Sequence, residues 1–260
     1  MIRKRLKFEK YQGTGNDFIM LDNRDKSFPS SDLQIVKLLC DRHFGVGSDG
    51  LILINQAENA DFHMEFFNPD GSKSFCGNGS RCAVKFAKSI GVFSGDTCSF
   101  SAIDGWHEAI ITDSLVKVKM RDVSGVLNKS DGIYIHTGSP HHLCFDSFLP
   151  EDDIKPLARP IRYAEDYMPG GVNVNFIAKE GKGISMRTYE RGVEDETLSC
   201  GTGVTAAALG AHLKFALASP IQVTTRGGIL KVYFENKSEG FANIWLEGPA
   251  DMVFEGIYTL

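Results

Sequence analysis

Two short stretches constrain the fold of this chain more than any other feature: "FCGNGSRC" at residues 75–82 and "SCGTGV" at 199–204. In each, a cysteine stands directly before a Gly-x-Gly turn. A run of helical character follows, "SRCAVKFAKSIG" in the first case and "GTGVTAAALGAHLKFALA" in the second. What precedes them also matches loosely. "GTGNDFIML" and then "MEFFNPDGS" lead to Cys76, while "GGVNVNFIA" and then "ISMRTYERG" lead to Cys200. A duplicated half would produce this order, and a coincidence of common glycine turns is the competing reading. Under duplication the boundary falls in "MRDVSGVLNKSDG", residues 120–132, which is polar and rich in turn formers.

Most other periodic segments read as strands. "LKFEKYQG", "DFIMLDN", "LILINQ", "DFHMEFFN", "HEAIITD", "LVKVKMRD" and "GIYIHTG" come first, then "NVNFIAKE", "ISMRTYE", "IQVTTRGG", "LKVYFEN" and "ANIWLEG". A third helix is expected in "SSDLQIVKLLCDRHFG", with Ser30 or Ser31 as N-cap, and a weaker one in the proline-interrupted "PEDDIKPLARPIR". With 260 residues, 42% of them hydrophobic, the chain can bury one large core or two modest ones. A net charge of −5 argues against nucleic acid as the main partner. No apolar run is long enough to span a membrane, and the basic start runs into no secretory h-region. Six cysteines without Cys-x-x-Cys spacing or matching histidines fit free thiols in a reducing cytoplasm and exclude a zinc-finger-type site.

"GVGSDG", Gly45 to Gly50, has the spacing of a dinucleotide-binding loop. That mechanism needs a strand before the loop and a helix after it. Here the helix comes first and "LILI" follows, so the glycines are expected to serve a helix-to-strand connection. A cysteine–histidine hydrolase using His141 or His142 stays open as a lesser reading, but it leaves the second cysteine turn without a purpose.

The two cysteines suggest different chemistry. The first amides of a helix have no intrahelical acceptors and carry partial positive charge, so they stabilise a thiolate or a carboxylate. Glycines there let a ligand approach the backbone. A single cysteine of this kind is more often inert packing. Two, in matching halves, suggest a pair of helix N-termini with a ligand between them. One thiolate removes a proton from a carbon, and a thiol on the opposite face returns one. The amides would hold the adjacent carboxylate and the charge that develops on it, with no cofactor required.

"GTGNDF", "FNPDGSKSFCGNGSRC", "GSPHH", "GVNVNF" and "YERGVEDETLSCGTGV", in this order, resemble the diaminopimelate epimerases. The resemblance implies an α+β fold of two similar domains, each a curved, mainly antiparallel sheet around a central helix, with the active site in the cleft between them. The implied division is residues 1–122, with 251–260 returning to that half, and 123–250. It also implies a cofactor-independent interconversion of LL- and meso-diaminopimelate in lysine and peptidoglycan-precursor synthesis. Carried over by motif, Cys76 and Cys200 are the acid/base thiols, and the amides of Gly77, Asn78, Gly201 and Thr202 hold the reacting carboxylate. Asn16, Asn68 and Asn173 line the substrate, Arg191 grips its distal carboxylate, and Glu190 and His141 flank the thiols and the amino group. Ser139 stands where many members have asparagine, and the loops before the two cysteines differ from the usual length by one residue each. The expected partner is the small-molecule substrate, with no nucleic acid and no membrane, and a homodimer stays open. Related readings are a two-thiol proline or hydroxyproline racemase, a non-catalytic binding protein and a phenazine-synthesis-like isomerase; keeping both cysteines disfavours the last two.

Overall fold

The computed structural model describes residues 5–145 and 153–260, so residues 1–4 of the basic start and 150–152 of the proline-interrupted helix lie outside it. The chain divides into two units, residues 1–118 with 248–260, and residues 119–247.

The first unit opens with β1 (Arg5–Gly13), β2 (Asn16–Asp22), α1 (Leu33–Cys40), β3 (Gly50–Asn55) and β4 (Phe62–Phe67). It continues with α2 (Gly77–Ser89), β5 (Thr97–Ala102), β6 (Gly105–Thr112) and β7 (Leu115–Lys119), and it recruits β17 (Asp251–Thr259) from the end of the chain. Pairing runs β17-β1-β2-β3-β4-β5-β6-β7, with β2–β3 and β4–β5 parallel and the rest antiparallel. This sheet wraps α2. Cys82, Ala83, Val84, Phe86 and Ala87 of the helix are buried against Phe18, Ile52, Phe62 and Phe66.

The second unit holds β8 (Val126–Lys129), β9 (Gly132–His136), β10 (Pro140–Phe145), α3 (Lys155–Arg162), β11 (Asn173–Glu180) and β12 (Gly183–Glu190). After them come β13 (Asp195–Thr197), α4 (Gly201–Phe215), β14 (Ile221–Thr225), β15 (Gly228–Lys237) and β16 (Gly240–Pro249). Pairing runs β8-β9-β10-β11-β12-β14-β15-β16, with β10–β11 and β12–β14 parallel. The sequence of parallel and antiparallel steps is therefore the same in both units, with β17 filling in the first what β8 fills in the second. A shared topology of this kind supports duplication over coincidence. The helix α4 is buried on every side from Val204 to Ala211, as expected for a helix apolar all round.

Several local expectations change. The N-cap of α1 is Asp32, whose carboxylate accepts from the Gln34 amide, and not Ser30 or Ser31. A carboxylate there also meets the positive end of the helix dipole. Strands β5, β8, β10, β13 and β17 were absent from the sequence reading. In β17 every residue is exposed or half-buried, so no period-2 burial pattern marks it, and pairing with β1 makes it a strand. The loop Gly45–Gly50 does join a helix to a strand. The amides of Val46, Gly47 and Ser48 donate to Leu39 O and Cys40 O, capping α1, so they are spent and cannot cradle a phosphate. Replacing Asp32 by alanine is expected to cost about 1 kcal/mol of stability, while Ser31→Ala changes little. Urea unfolding of the two variants checks this, and equal losses would return the cap to the serine.

Candidate functional site

In the first unit the candidate residues gather at the turn that opens α2. Cys76 is its N-cap, and its Sγ accepts from the Gly79 amide at 3.4 Å. The glycine turn of the sequence reading is thus already helix, from Gly77 onward. Asn16 starts β2, after a two-residue hairpin turn in which Thr14 and Gly15 both have positive φ, 52° and 83°. A β-branched residue is strained there, and Thr14 is almost fully buried, its hydroxyl bonded to Gly13 O. The turn delivers Asn16 to Cys76. Asn16 Nδ2 donates to Asp49 Oδ2 at 2.7 Å, which leaves Oδ1 facing Cys76 Sγ (3.7 Å) and Asn78 Nδ2 (3.5 Å). Asp49 therefore sets which way the Asn16 amide points, a role the sequence reading missed although Asp49 lies in the quoted "GVGSDG". Behind it, Asp17 pairs with Lys10 and Arg42, and Arg42 also holds Asp49. Burial raises the pKa of Asp17, but the bonds from Arg42 and Lys10 outweigh it and hold the carboxyl at about 2.

Asn68 is bonded within the turn that precedes Cys76. Its side-chain amide donates to Ser72 O, Ser72 Oγ and Ser74 Oγ, tying the 68–74 turn that leads to Cys76.

In the second unit the candidate residues gather at the start of α4, with Cys200 as N-cap. Its geometry forms a directed chain of hydrogen bonds. Asn175 Nδ2 lies 3.2 Å from His142 O, which can only accept, so the amide orientation is fixed. The same nitrogen reaches His141 Nδ1 at 3.1 Å, so Nδ1 accepts and the ring proton sits on Nε2. Nε2 donates to Thr202 Oγ1 at 3.0 Å, and the threonine's own proton is left for Cys200 Sγ at 3.4 Å. Thr188 closes the chain by donating to Asn175 Oδ1. His141 is fully buried, and burial pushes its pKa down to about 3, with the positive charges of His136 and Arg191 adding to the effect. It is a neutral, fixed N–H donor at neutral pH. The expected flanking role of His141 thus runs through Thr202. Asn175 and Thr188 were missed, although Asn175 follows Asn173 at the period that places both on one face of β11.

Asn173 is buried, and both ends of its amide are bonded within the protein. Its Nδ2 donates to Ser139 Oγ and Pro140 O, and its Oδ1 accepts from the Arg191 amide. It fixes Ser139 and the backbone at Arg191. The Arg191 side chain is exposed, and one Nη1 bond to Gly170 O leaves most of its fork available. Glu190 is half-buried, its Oε2 accepting from Thr197 Oγ1.

The second glycine of each motif serves packing and not ligand access. A Cβ on Gly203 would lie 2.8 Å from Asn175 Oδ1 and 3.3 Å from His141 Cε1, and one on Gly79 would lie 3.0 Å from Ile52 Cδ1. All six cysteines are free thiols. Burial raises the pKa of Cys40, and lifts Cys98 and Cys144 to about 12 and Cys82 higher still, so these four are inert neutral groups. Among the described residues no helix is long and apolar enough to cross a membrane.

The sequence profile described as "Diaminopimelate epimerase" matches residues 8–125 and 133–253. The diaminopimelate epimerase of Flavobacterium psychrophilum is 45% identical over 254 residues, covering 96% of this chain and 99% of that one. The diaminopimelate epimerase of Aquifex aeolicus is 40% identical, covering 96% and 97%. Among solved structures, a phenazine biosynthesis protein of the PhzF family from Bacillus anthracis superposes with a TM-score of 0.71 at 14% identity, covering 99% of each chain. A hydroxyproline epimerase from Agrobacterium vitis gives 0.66 at 14% identity, covering 100% of this chain and 93% of that one. At such identities the structural likeness speaks for the fold alone.

Two outcomes follow from the second half. The unfolded chain takes up a proton at His141 near pH 6.5, whereas the folded chain does so only near pH 3, so this stabilisation is full above pH 6.5 and is lost as pH falls. Urea unfolding at pH 7 and pH 5 should show about 2 kcal/mol of loss that His141→Asn removes. An equal decline in both proteins would contradict the buried neutral ring. Gly203→Ala should destabilise by about 1–3 kcal/mol, because Asn175 is held on both sides, and Gly79→Ala by less, because the Ile52 end can shift. A larger loss at Gly79 in thermal unfolding reverses this assignment.

Proposed function

The chain belongs to the diaminopimelate epimerase family, and from that premise we propose that it interconverts LL- and meso-diaminopimelate by proton transfer between two cysteines at the α-carbon. The observation that carries this reading is the repeated construction: each half offers one cysteine as the N-cap of a buried central helix, with the first-turn amides beside it. The reading requires both turns to address one α-carbon from opposite sides. In one direction the Cys76 thiolate takes the α-hydrogen as a proton, leaving the electron pair on carbon and the adjacent carboxylate. Cys200 then delivers its own proton to the other face and becomes the thiolate. The amides of Gly77, Asn78, Gly201 and Thr202 hold the carboxylate through the step, where they stabilise developing charge without reorganising. In this proposal Asn16 contacts the substrate beside Cys76, Thr202 supports Cys200, and Arg191 offers its planar fork to the distal carboxylate. Asn68, Asn173 and Ser139 then act by fixing loops, and Glu190 lines the second half. A cyclic imino acid, the substrate of the racemase alternative, has no second carboxylate for Arg191.

Cys76→Ala and Cys200→Ala should each lower epimerisation by at least about a hundredfold while the protein remains folded. Exchange of the α-hydrogen in heavy water should occur with LL- and meso-diaminopimelate and not with proline. Near-normal turnover in either variant, or rapid exchange of proline, would falsify the assignment.

A further inference from the structure

Arg81 lies one turn into α2 and is fully buried. Among the described residues no carboxylate pairs with it. Its Nε donates to Pro249 O at 3.3 Å, Nη1 to Gly77 O at 3.3 Å and Nη2 to Thr14 Oγ1 at 3.2 Å, all neutral oxygens. A guanidinium keeps its charge in proteins, and a buried charge without a counter-ion is costly enough to need a reason. Burial lowers the pKa of the Arg81 guanidinium, and the sulfurs of Cys82 and Cys76 act in the opposite sense. Burial keeps Cys82 protonated, which leaves Cys76.

The matching position in the second half is Thr205, five residues after Cys200 as Arg81 is five after Cys76. Thr205 Oγ1 donates to Gly201 O at 3.0 Å and is also fully buried. The carbonyl of the first helical residue thus accepts from a neutral hydroxyl in both halves, Ser80 Oγ at 3.0 Å on Gly77 O and Thr205 Oγ1 on Gly201 O, and in the first half the Arg81 guanidinium adds a charged donor to it. The Gly77 carbonyl shares its peptide unit with the Asn78 N–H. A cation bonded to the oxygen polarises that unit and strengthens the N–H as a donor at the mouth of the site.

Resting on the two-thiol reading above, we propose that Arg81 is a positioning residue that makes the α2 N-terminus the stronger of the two anion sites, so that Cys76 ionises before Cys200 and carries the thiolate in the resting enzyme. The groups that oppose this are weaker. Asn16 Oδ1 favours the thiol form of Cys76, but at 3.7 Å it is a long contact to a dipole. Asp17 and Asp49 stand behind Asn16 and are compensated by Lys10 and Arg42. From β17, Asp251 accepts from Gln12. From β6, His107 pairs with Asp104 while stacking on Phe75. The Tyr11 phenol of β1 is lifted by burial to about 12 and is neutral. In the second half, His141 is neutral and the Glu196 carboxylate is paired with Arg187 and Arg226. Glu190 adds a negative charge there, and the Arg191 guanidinium and the His136 ring sit on exposed side chains where solvent screens them.

The test is alkylation of the folded, substrate-free enzyme by iodoacetamide from about pH 5 to pH 10, followed by mass-spectrometric quantification of the Cys76 and Cys200 peptides. Each cysteine is scaled to its own plateau at high pH, which removes differences in access. In the wild type, Cys76 should reach half its plateau at lower pH than Cys200. In Arg81→Met the scaled Cys76 rate at pH 7 should fall by about tenfold or more, with the Cys200 profile unmoved, and Arg81→Lys should restore most of it. An unchanged Cys76 profile in Arg81→Met overturns the proposal. Where that variant does not fold, the wild-type order decides, and ionisation of Cys200 first overturns it. Because no substrate is present, failure of α-hydrogen exchange would remove the proposed reaction while leaving this result readable on its own.

Discussion

Each unit buries one helix inside its sheet, and the unsatisfied amides at the start of that helix govern what surrounds them. A helix cannot pair its own first N–H groups, and leaving them unpaired away from water costs about 1–3 kcal/mol each. On a surface helix solvent repays this. At α2 and α4 the first turn is buried at Gly77–Ser80 and at Gly201, Gly203 and Val204, so the protein and its ligand must supply the acceptors. A cysteine as N-cap is a weak acceptor when protonated and a strong one when ionised. The burial of the helix and the reactivity of the thiol are one constraint seen from two sides.

The two units share a strand order and a helix, yet they furnish their helix starts differently. Around Cys76 the supporting groups are charged: Asp49, Arg42, Asp17 and Lys10 stand behind Asn16, and Arg81 lies beneath the first turn. Around Cys200 the nearest chain is neutral, from Thr188 through Asn175 and His141 to Thr202. Charged and neutral networks respond differently to a proton arriving or leaving. A reaction that must end with the proton on the opposite thiol gains from two similar sites that are not identical.

The cysteine motifs, the three clearest helices and most strands were legible because each rests on local information. A cysteine before Gly-x-Gly, an alanine run or an alternating apolar pattern spans a dozen residues or fewer. The strand β17 was not, since none of its residues is fully buried and its pairing partner β1 lies some 240 residues earlier in the chain. The groups that orient the site were illegible for the same reason. Asn16 meets Asp49 across 33 residues, His141 meets Asn175 across 34, and Arg81 meets Pro249 across 168. The Asn68 and Asn173 side chains carry a motif signal for substrate contact, and the tertiary structure adds bonds from both to neighbouring loops.

The sequence by itself determined that two cysteines open two buried helices and that the chain is a duplicated epimerase of this family, because those features are written in contiguous residues and repeated. Only the tertiary structure decided which way Asn16 and His141 present their hydrogen-bonding atoms. It also decided that Gly79 and Gly203 are required by packing and that Arg81 is buried with no carboxylate partner among the described residues. Each of these depends on the distance between atoms far apart in the chain, and hydrogen bonding and Coulomb forces act on that distance and not on separation in sequence.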